Sequence, residues 1–158
     1  MKLYFAPGAC SQAVHIALHE AGLPFDTEQV DLKEHKTKSG KDFYAINAKG
    51  YVPAIELDEG GLLTEVGVLL QYVADRAAAK KLAPAAGTME RYRLMEWLSF
   101  ISGELHKQFG PLFYPTTPEE TKKASREKIA KSLELVDKAL AGKQYLMGDQ
   151  FTVADAYL

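Results

Sequence analysis

Every stretch with strand character lies before Thr64, and beyond it only helical spacing is found, so the chain must build one small α/β unit followed by helices. Lys2-Leu3-Tyr4-Phe5 sets β-formers side by side and ends at Pro7-Gly8. Val14, Ala17, Leu18 and Ala21 then recur at helical spacing, with Ser11 read as N-cap, Gly22 as C′ and Pro24 blocking continuation. Residues 24–32 form a second strand. The polar, lysine-rich run from Lys33 to Lys41, which includes His35, reads either as a solvated loop or as a basic patch beside an anionic ligand. A short helical segment over 42–46 and a turn at Asn47-Ala48-Lys49-Gly50 lead to a strand over 51–57. Pro53 confines the start of that strand to an edge or an irregular turn, and a cis Val52-Pro53 bond would turn the Val52 backbone outward. Asp58-Glu59-Gly60-Gly61 is a hairpin turn, Leu62-Leu63-Thr64 returns, and a helix runs from Glu65 through Leu69, Leu70, Val73 and Ala77. Its first turn, directly after a strand, is a ready anion site.

Residues 82–87 carry Pro and Gly without periodicity and read as a linker between a domain at 1–81 and one at 88–158. A long helix is expected over 89–109, stopped by Gly110-Pro111. Thr117-Pro118-Glu119-Glu120 has the order of N-cap, N1 proline and N3 glutamate, opening a helix through Ile129, Leu133, Val136 and Leu140. Phe151-Thr152-Val153-Ala154-Asp155 is another start, with Thr152 as N-cap, Asp155 at N3 and Phe151 stapled against Ala156. That helix is cut short at Leu158, so the chain is expected to be a fragment of a longer all-helical domain.

The only cysteine, Cys10, sits where the first strand hands over to a helix, facing free N–H groups and the positive end of the helix dipole. A helix terminus supplies about 0.3–1 kcal/mol. That is less than one pKa unit at about 1.4 kcal/mol per unit, so a neutral-pH thiolate needs a second positive group. The other reading of Cys10 is a small buried hydrophobe. One cysteine excludes an internal disulfide and fits a reducing compartment. A formal net charge of −2 argues against nucleic acid as a partner, and the sequence holds no run long enough to span a membrane. A cytoplasmic location is expected. His15 and His19 have the i, i+4 spacing of a metal pair, but no third ligand lies nearby in sequence, so no metal is expected.

Several pieces together resemble the bacterial beta-class glutathione S-transferases. They are Met1-Lys2-Leu3-Tyr4, Pro7-Gly8-Ala9-Cys10-Ser11, Gly50-Tyr51-Val52-Pro53-Ala54, Leu63-Thr64-Glu65, Gln71-Tyr72-Val73-Ala74-Asp75, Glu104-Leu105-His106-Lys107 and the run from Gly148 to Leu158. The resemblance implies a thioredoxin-like α/β domain followed by an all-α domain, incomplete at its C-terminal end, in a homodimer. It implies glutathione as co-substrate and conjugation of its sulfur to a hydrophobic electrophile bound between Cys10 and the loop at 111–115. Disulfide or peroxide reduction through Cys10 would accompany this, because a thiol can attack a disulfide and leave again.

The residues implied to hold glutathione are Cys10, His35, Tyr51, Val52, Pro53, Glu65, Val66, Ser99, Gly103, His106 and Lys107, with Cys10 and His106 catalytic. Val52 would pair with the cysteinyl backbone as an added strand does. Glu65 and the N–H of Val66 would take the γ-glutamyl end, and His35 the glycyl carboxylate. His106 and Lys107 are the candidates for the missing positive group. The family usually has lysine at 35, Gly or Ser at 66, Asn at 99 and Ser or Thr at 103. The departures at His35, Val66 and Gly103 favour an alternative, a binding or regulatory protein of the same fold without turnover.

Overall fold

The computed structural model describes residues 1–158 and divides into two compact units, one formed essentially by Met1–Ala83 and the other by Pro84–Ala156. The first is built on a sheet of order β3-β2-β1-β4-β5, with β1 at Lys2–Phe5, β2 at Asp26–Asp31, β3 at Lys36–Thr37, β4 at Ala54–Glu56 and β5 at Leu62–Thr64. β1 and β2 run parallel because helix α1, Ser11–Ala21, carries the chain back between them. The remaining pairs are antiparallel, with Leu3 opposite Ile55 and Ile55 opposite Leu63.

The central strand is covered on both faces, and both residues at its centre, Leu3 and Tyr4, are buried. Tyr4 packs with Ala6, Val30, Phe43, Val52 and Ala54. Helix α1 packs against α2, Val66–Arg76, through buried positions that include Val14, Leu18, Leu69, Leu70 and Val73. Gly22 ends α1 at φ 66°, with its N–H on the carbonyls of His19 and Leu18, as a C′ glycine should.

The structure corrects several boundaries. The strand expected over 51–57 is confined to Ala54–Glu56, because Pro53 just before it has no N–H for the ladder; the Val52-Pro53 bond is cis. Residues 42–46 are a turn rather than a helix: the Asp42 carboxylate accepts from the Tyr44 N–H, while the Phe43 carbonyl accepts from Ile46 and Asn47. The lysine-rich loop contains β3, whose Thr37 stands opposite Val30. Lysines on an edge strand look like solvated loop in sequence, and they also blunt the edge against further pairing.

In the second unit α3, Met89–Phe100, passes into a π turn at Ile101–Leu105, a 3₁₀ turn at His106–Phe109 and the short α4, Gly110–Phe113. The expected stop at Gly110-Pro111 does not occur, since Pro111 falls in the first turn of α4, where a missing N–H costs nothing. The long helix α5, Glu119–Leu140, begins one residue later than expected. Pro118 holds the cap position, no side chain caps it, and its carbonyl takes the Lys122 N–H at 3.0 Å.

The inner face of α5 includes Ser125, Ile129, Ser132 and Val136, whereas Leu133 is exposed. Ser132 donates its hydroxyl to the Glu104 carbonyl at 3.1 Å, inside the π turn where the α-helical ladder is broken. Ser132→Ala should therefore cost about 1 kcal/mol of stability; thermal denaturation of the variant measures it. Helix α6, Val153–Tyr157, keeps its expected box, with Thr152 and Asp155 bonding each other's backbone and side chain. Phe151 meets Tyr145 edge-on at 5.7 Å.

Candidate active site

Cys10, not Ser11, is the cap residue of α1. Ser11 is fully buried and bonds backwards, accepting from the Ala6 N–H at 3.1 Å and donating to the Ala6 carbonyl at 3.2 Å. Those two bonds close the Ala6–Cys10 loop and fix where the thiol stands. The half-buried Cys10 donates its S–H to the Val52 carbonyl at 3.4 Å. The side chain of Val52 lies in the core while its carbonyl faces the sulfur. Burial pushes the Cys10 thiol above its usual value; the N–H groups of Cys10 and Ser11 pull it down, and the Glu65 carboxylate raises it again. The helix terminus is thus outweighed, and the resting group is a thiol.

Glu65 caps the end of β5 at φ 74°, a left-handed conformation that a side chain rarely accepts. Its carbonyl receives the Val68 and Leu69 N–H groups, so the Val66 and Gly67 amides precede the first intrahelical donors and open toward the helix head. The Glu65 carboxylate takes the Lys49 ammonium at 2.5 Å, and the same ammonium reaches the Thr64 hydroxyl at 3.0 Å. Sequence spacing gives no sign of Lys49, which looks like an ordinary turn residue. Asn47 holds the loop on its other side, donating to the Tyr51 carbonyl at 2.8 Å and accepting from the Lys49 N–H at 3.2 Å. Tyr51 is exposed, while Val52 and Pro53 are buried.

His35 also has positive φ, 50°, and stacks on Tyr44 with ring centroids 4.4 Å apart. Its Nδ1 is buried without a hydrogen-bond partner. Gly50 seats both rings: at φ 68° a Cβ there would stand 2.6 Å from Tyr44 and 3.2 Å from His35 Nδ1. Gly50→Ala should therefore cost about 1–2 kcal/mol from backbone strain alone, read as a lowered urea midpoint with an unchanged slope.

Of the residues expected from the helical half, Ser99 is exposed near the end of α3, Gly103 lies in the π turn, and His106 and Lys107 open the 3₁₀ turn. A Cβ at Gly103 would meet nothing within 4 Å. Burial holds the His106 imidazole below its ordinary value, so it is neutral at neutral pH and is an acceptor rather than a cation. Lys107, exposed, is the cationic member of that pair.

Other groups in these units are committed elsewhere. The Tyr4 hydroxyl donates to Glu56 at 2.8 Å, and burial together with that carboxylate pushes the phenol up to about 12. His15 and His19 stack at 4.9 Å and both meet Phe25 within 5.5 Å, a packing role for the i, i+4 pair.

A buried-backed thiol at a helix head, a cis-proline edge beside it and an acidic residue at the head of the next helix define a thioredoxin-like thiol site, followed here by an all-helical unit. Comparison with known proteins agrees and goes further. Residues 8–76 match the N-terminal domain of glutathione S-transferase and residues 88–158 its C-terminal domain. The glutathione S-transferase GstA of Escherichia coli O157:H7 is 46% identical over 158 residues, covering 100% of this chain and 79% of its own. Among solved structures, a ternary complex of BphK, a bacterial glutathione S-transferase, superposes with a TM-score of 0.98 at 53% identity, over 99% of this chain and 78% of that one. A sphingomonad glutathione S-transferase complexed with glutathione gives 0.95 at 49%, and the beta-class enzyme of Sphingomonas chungbukensis 0.95 at 47%, each over 99% of this chain and 78% of theirs. The chain belongs to the glutathione S-transferase family, as its motifs implied.

Proposed function

We propose that the protein conjugates glutathione to hydrophobic electrophiles, and that Cys10 serves the sulfur of the tripeptide. The observation that carries this reading is the Cys10 S–H held on the Val52 carbonyl at 3.4 Å, one step from the cis-proline edge. A cysteinyl backbone laid along Val52 and Pro53 brings its own sulfur to that thiol, with Tyr51 flanking the edge. The γ-glutamyl ammonium pairs with Glu65 and its carboxylate with the Val66 N–H. His35 takes the glycyl carboxylate. In the helical domain, 88–158, joined to the glutathione domain 1–81 through 82–87, Ser99 and Gly103 are residues that the family resemblance assigns to glutathione. His106 accepts the glutathione thiol proton, and Lys107 supplies positive charge to the thiolate.

The chemistry follows from those roles. Glutathione gives up its thiol proton to the neutral His106, and the thiolate forms a bond to an electrophilic carbon as the leaving group departs with its electron pair. Cys10, protonated at rest, donates a hydrogen bond that steadies the thiolate. A second course is open to the thiolate form of Cys10: it attacks oxidised glutathione, forms a mixed disulfide and releases one glutathione thiolate.

The exposed apolar stripe of Met89, Tyr92 and Met95 on α3 supports a homodimer, which sedimentation would detect. The proposed location is the cytoplasm, which fits a thiol-dependent protein with one cysteine; no helix is long and apolar enough to cross a membrane.

Turnover of an activated aryl chloride with glutathione tests the reading. Glu65→Gln should raise KM for glutathione about 10- to 100-fold, the worth of a charge-assisted hydrogen bond, with a smaller change in kcat. Retention on immobilised glutathione without turnover would favour the binding-protein alternative.

A further inference from the structure

The pairing of Lys49 with Glu65 has a shape that the proposed γ-glutamyl contacts do not use. An ammonium and a carboxylate stand side by side at the head of α2, joined at 2.5 Å. The γ-glutamyl end of glutathione carries the same two groups on one carbon. Two such pairs set head to tail exchange partners: the ligand's ammonium takes Glu65, and its carboxylate takes Lys49. The protein pair is exposed, with side chains 51% and 65% accessible, so opening it to admit a ligand costs little. A buried pair in that place would resist the exchange.

We infer that Lys49 is a glutathione-binding residue, the cationic partner of the γ-glutamyl α-carboxylate beside the Val66 N–H; this rests on the proposed glutathione reading of the Glu65 end. Three observations support it. Val66 offers only a backbone donor, because its side chain is apolar and buried. Lys49 is anchored at its base, since its N–H rests on the Asn47 side chain at 3.2 Å. Its tip bridges Thr64 and Glu65, so it ties the loop that ends in Val52 to the head of α2. One side chain thereby connects the cysteinyl edge to the γ-glutamyl end, and it makes the site selective for an intact α-amino acid head group.

Isothermal titration of the protein with glutathione, and with an analogue lacking only the γ-glutamyl α-carboxylate, tests this. Lys49→Met should weaken glutathione about tenfold and leave the analogue within about twofold, while Lys49→Arg should restore glutathione binding to within about threefold. An equal loss for both ligands would reduce Lys49 to a structural tie, and unchanged or tighter glutathione binding would make it a bystander or a competitor; either overturns the inference. If the unsubstituted protein binds neither ligand, the glutathione reading itself falls and the inference with it. If the unsubstituted protein binds glutathione and the Lys49→Met affinities do not diverge between the two ligands, only the role of Lys49 falls.

Discussion

Cys10→Ser should abolish the covalent adduct formed with oxidised glutathione, an all-or-none change readable by mass spectrometry of the intact protein. No other cysteine is present to replace it. The unsubstituted protein should gain one glutathionyl group, and its rate of gain should depend steeply on pH. Burial, ahead of the Glu65 charge, raises the thiol, so the reactive thiolate is a minor species at neutral pH that grows as pH rises. Below the raised value each pH unit multiplies that species about tenfold, and the adduct rate should follow from pH 6 to pH 8. A rate flat over that range would mean a thiolate already formed and would contradict the electrostatics of the site. Conjugation should respond differently. Cys10 donates a hydrogen bond there rather than its electrons, so Cys10→Ser, which keeps a donor, should lower the aryl chloride turnover far less than it lowers disulfide exchange.

The largest loss of stability is expected from Asp155→Ala. That carboxylate accepts the Thr152 N–H at 2.8 Å, the Thr152 hydroxyl at 2.9 Å and the Leu146 N–H at 2.8 Å. Thr152, Leu146, Val153 and Ala154 are all buried, so the donors left behind have no easy replacement. Losing a cap costs about 0.5–2 kcal/mol, and stranding a second buried donor adds about 1–3 kcal/mol. The sum, about 1.5–5 kcal/mol, should lower Tm by roughly 3–20 °C in a chain of this size. Asp155→Asn should recover part of it, because an amide oxygen can still accept. A Tm within a degree or two of the parent would show that the box is decorative.

Much of the architecture was legible because its signals are local. The strand at Lys2–Phe5, the left-handed Gly22 and the Thr152/Asp155 box each rest on a few adjacent residues, and each stands where the sequence places it. What the sequence hid depends on partners far along the chain. Nothing near Lys36 announces a strand, because its pairing partner is Val30–Asp31 across a turn. Nothing near Ile101 announces a π turn, because the Glu104 carbonyl is satisfied by Ser132 from another helix. Gly110-Pro111 carries a strong stop signal, yet it falls where one helical turn passes into the next and the missing N–H is free.

The site divides the same way. Cys10 stands out at a strand-to-helix junction and the cis bond at Val52-Pro53 could be anticipated from the proline, whereas Glu65 enters only through the family resemblance. The sign of the sulfur's electrostatics could not, since it depends on how deeply Cys10 is buried and on a carboxylate fifty-five positions away. The same is true of His106, whose burial makes it an acceptor where sequence alone offered a cation. Lys49 left no trace in the pattern, for its partner is set by the meeting of a loop and a helix head.

A crystal of the protein soaked with glutathione tests the central claim most directly. The tripeptide should lie extended along Val52, with its sulfur beside Cys10 and its α-amino acid end on Glu65 at the head of α2. Glutathione bound elsewhere, or bound with its sulfur turned away from Cys10, would contradict it.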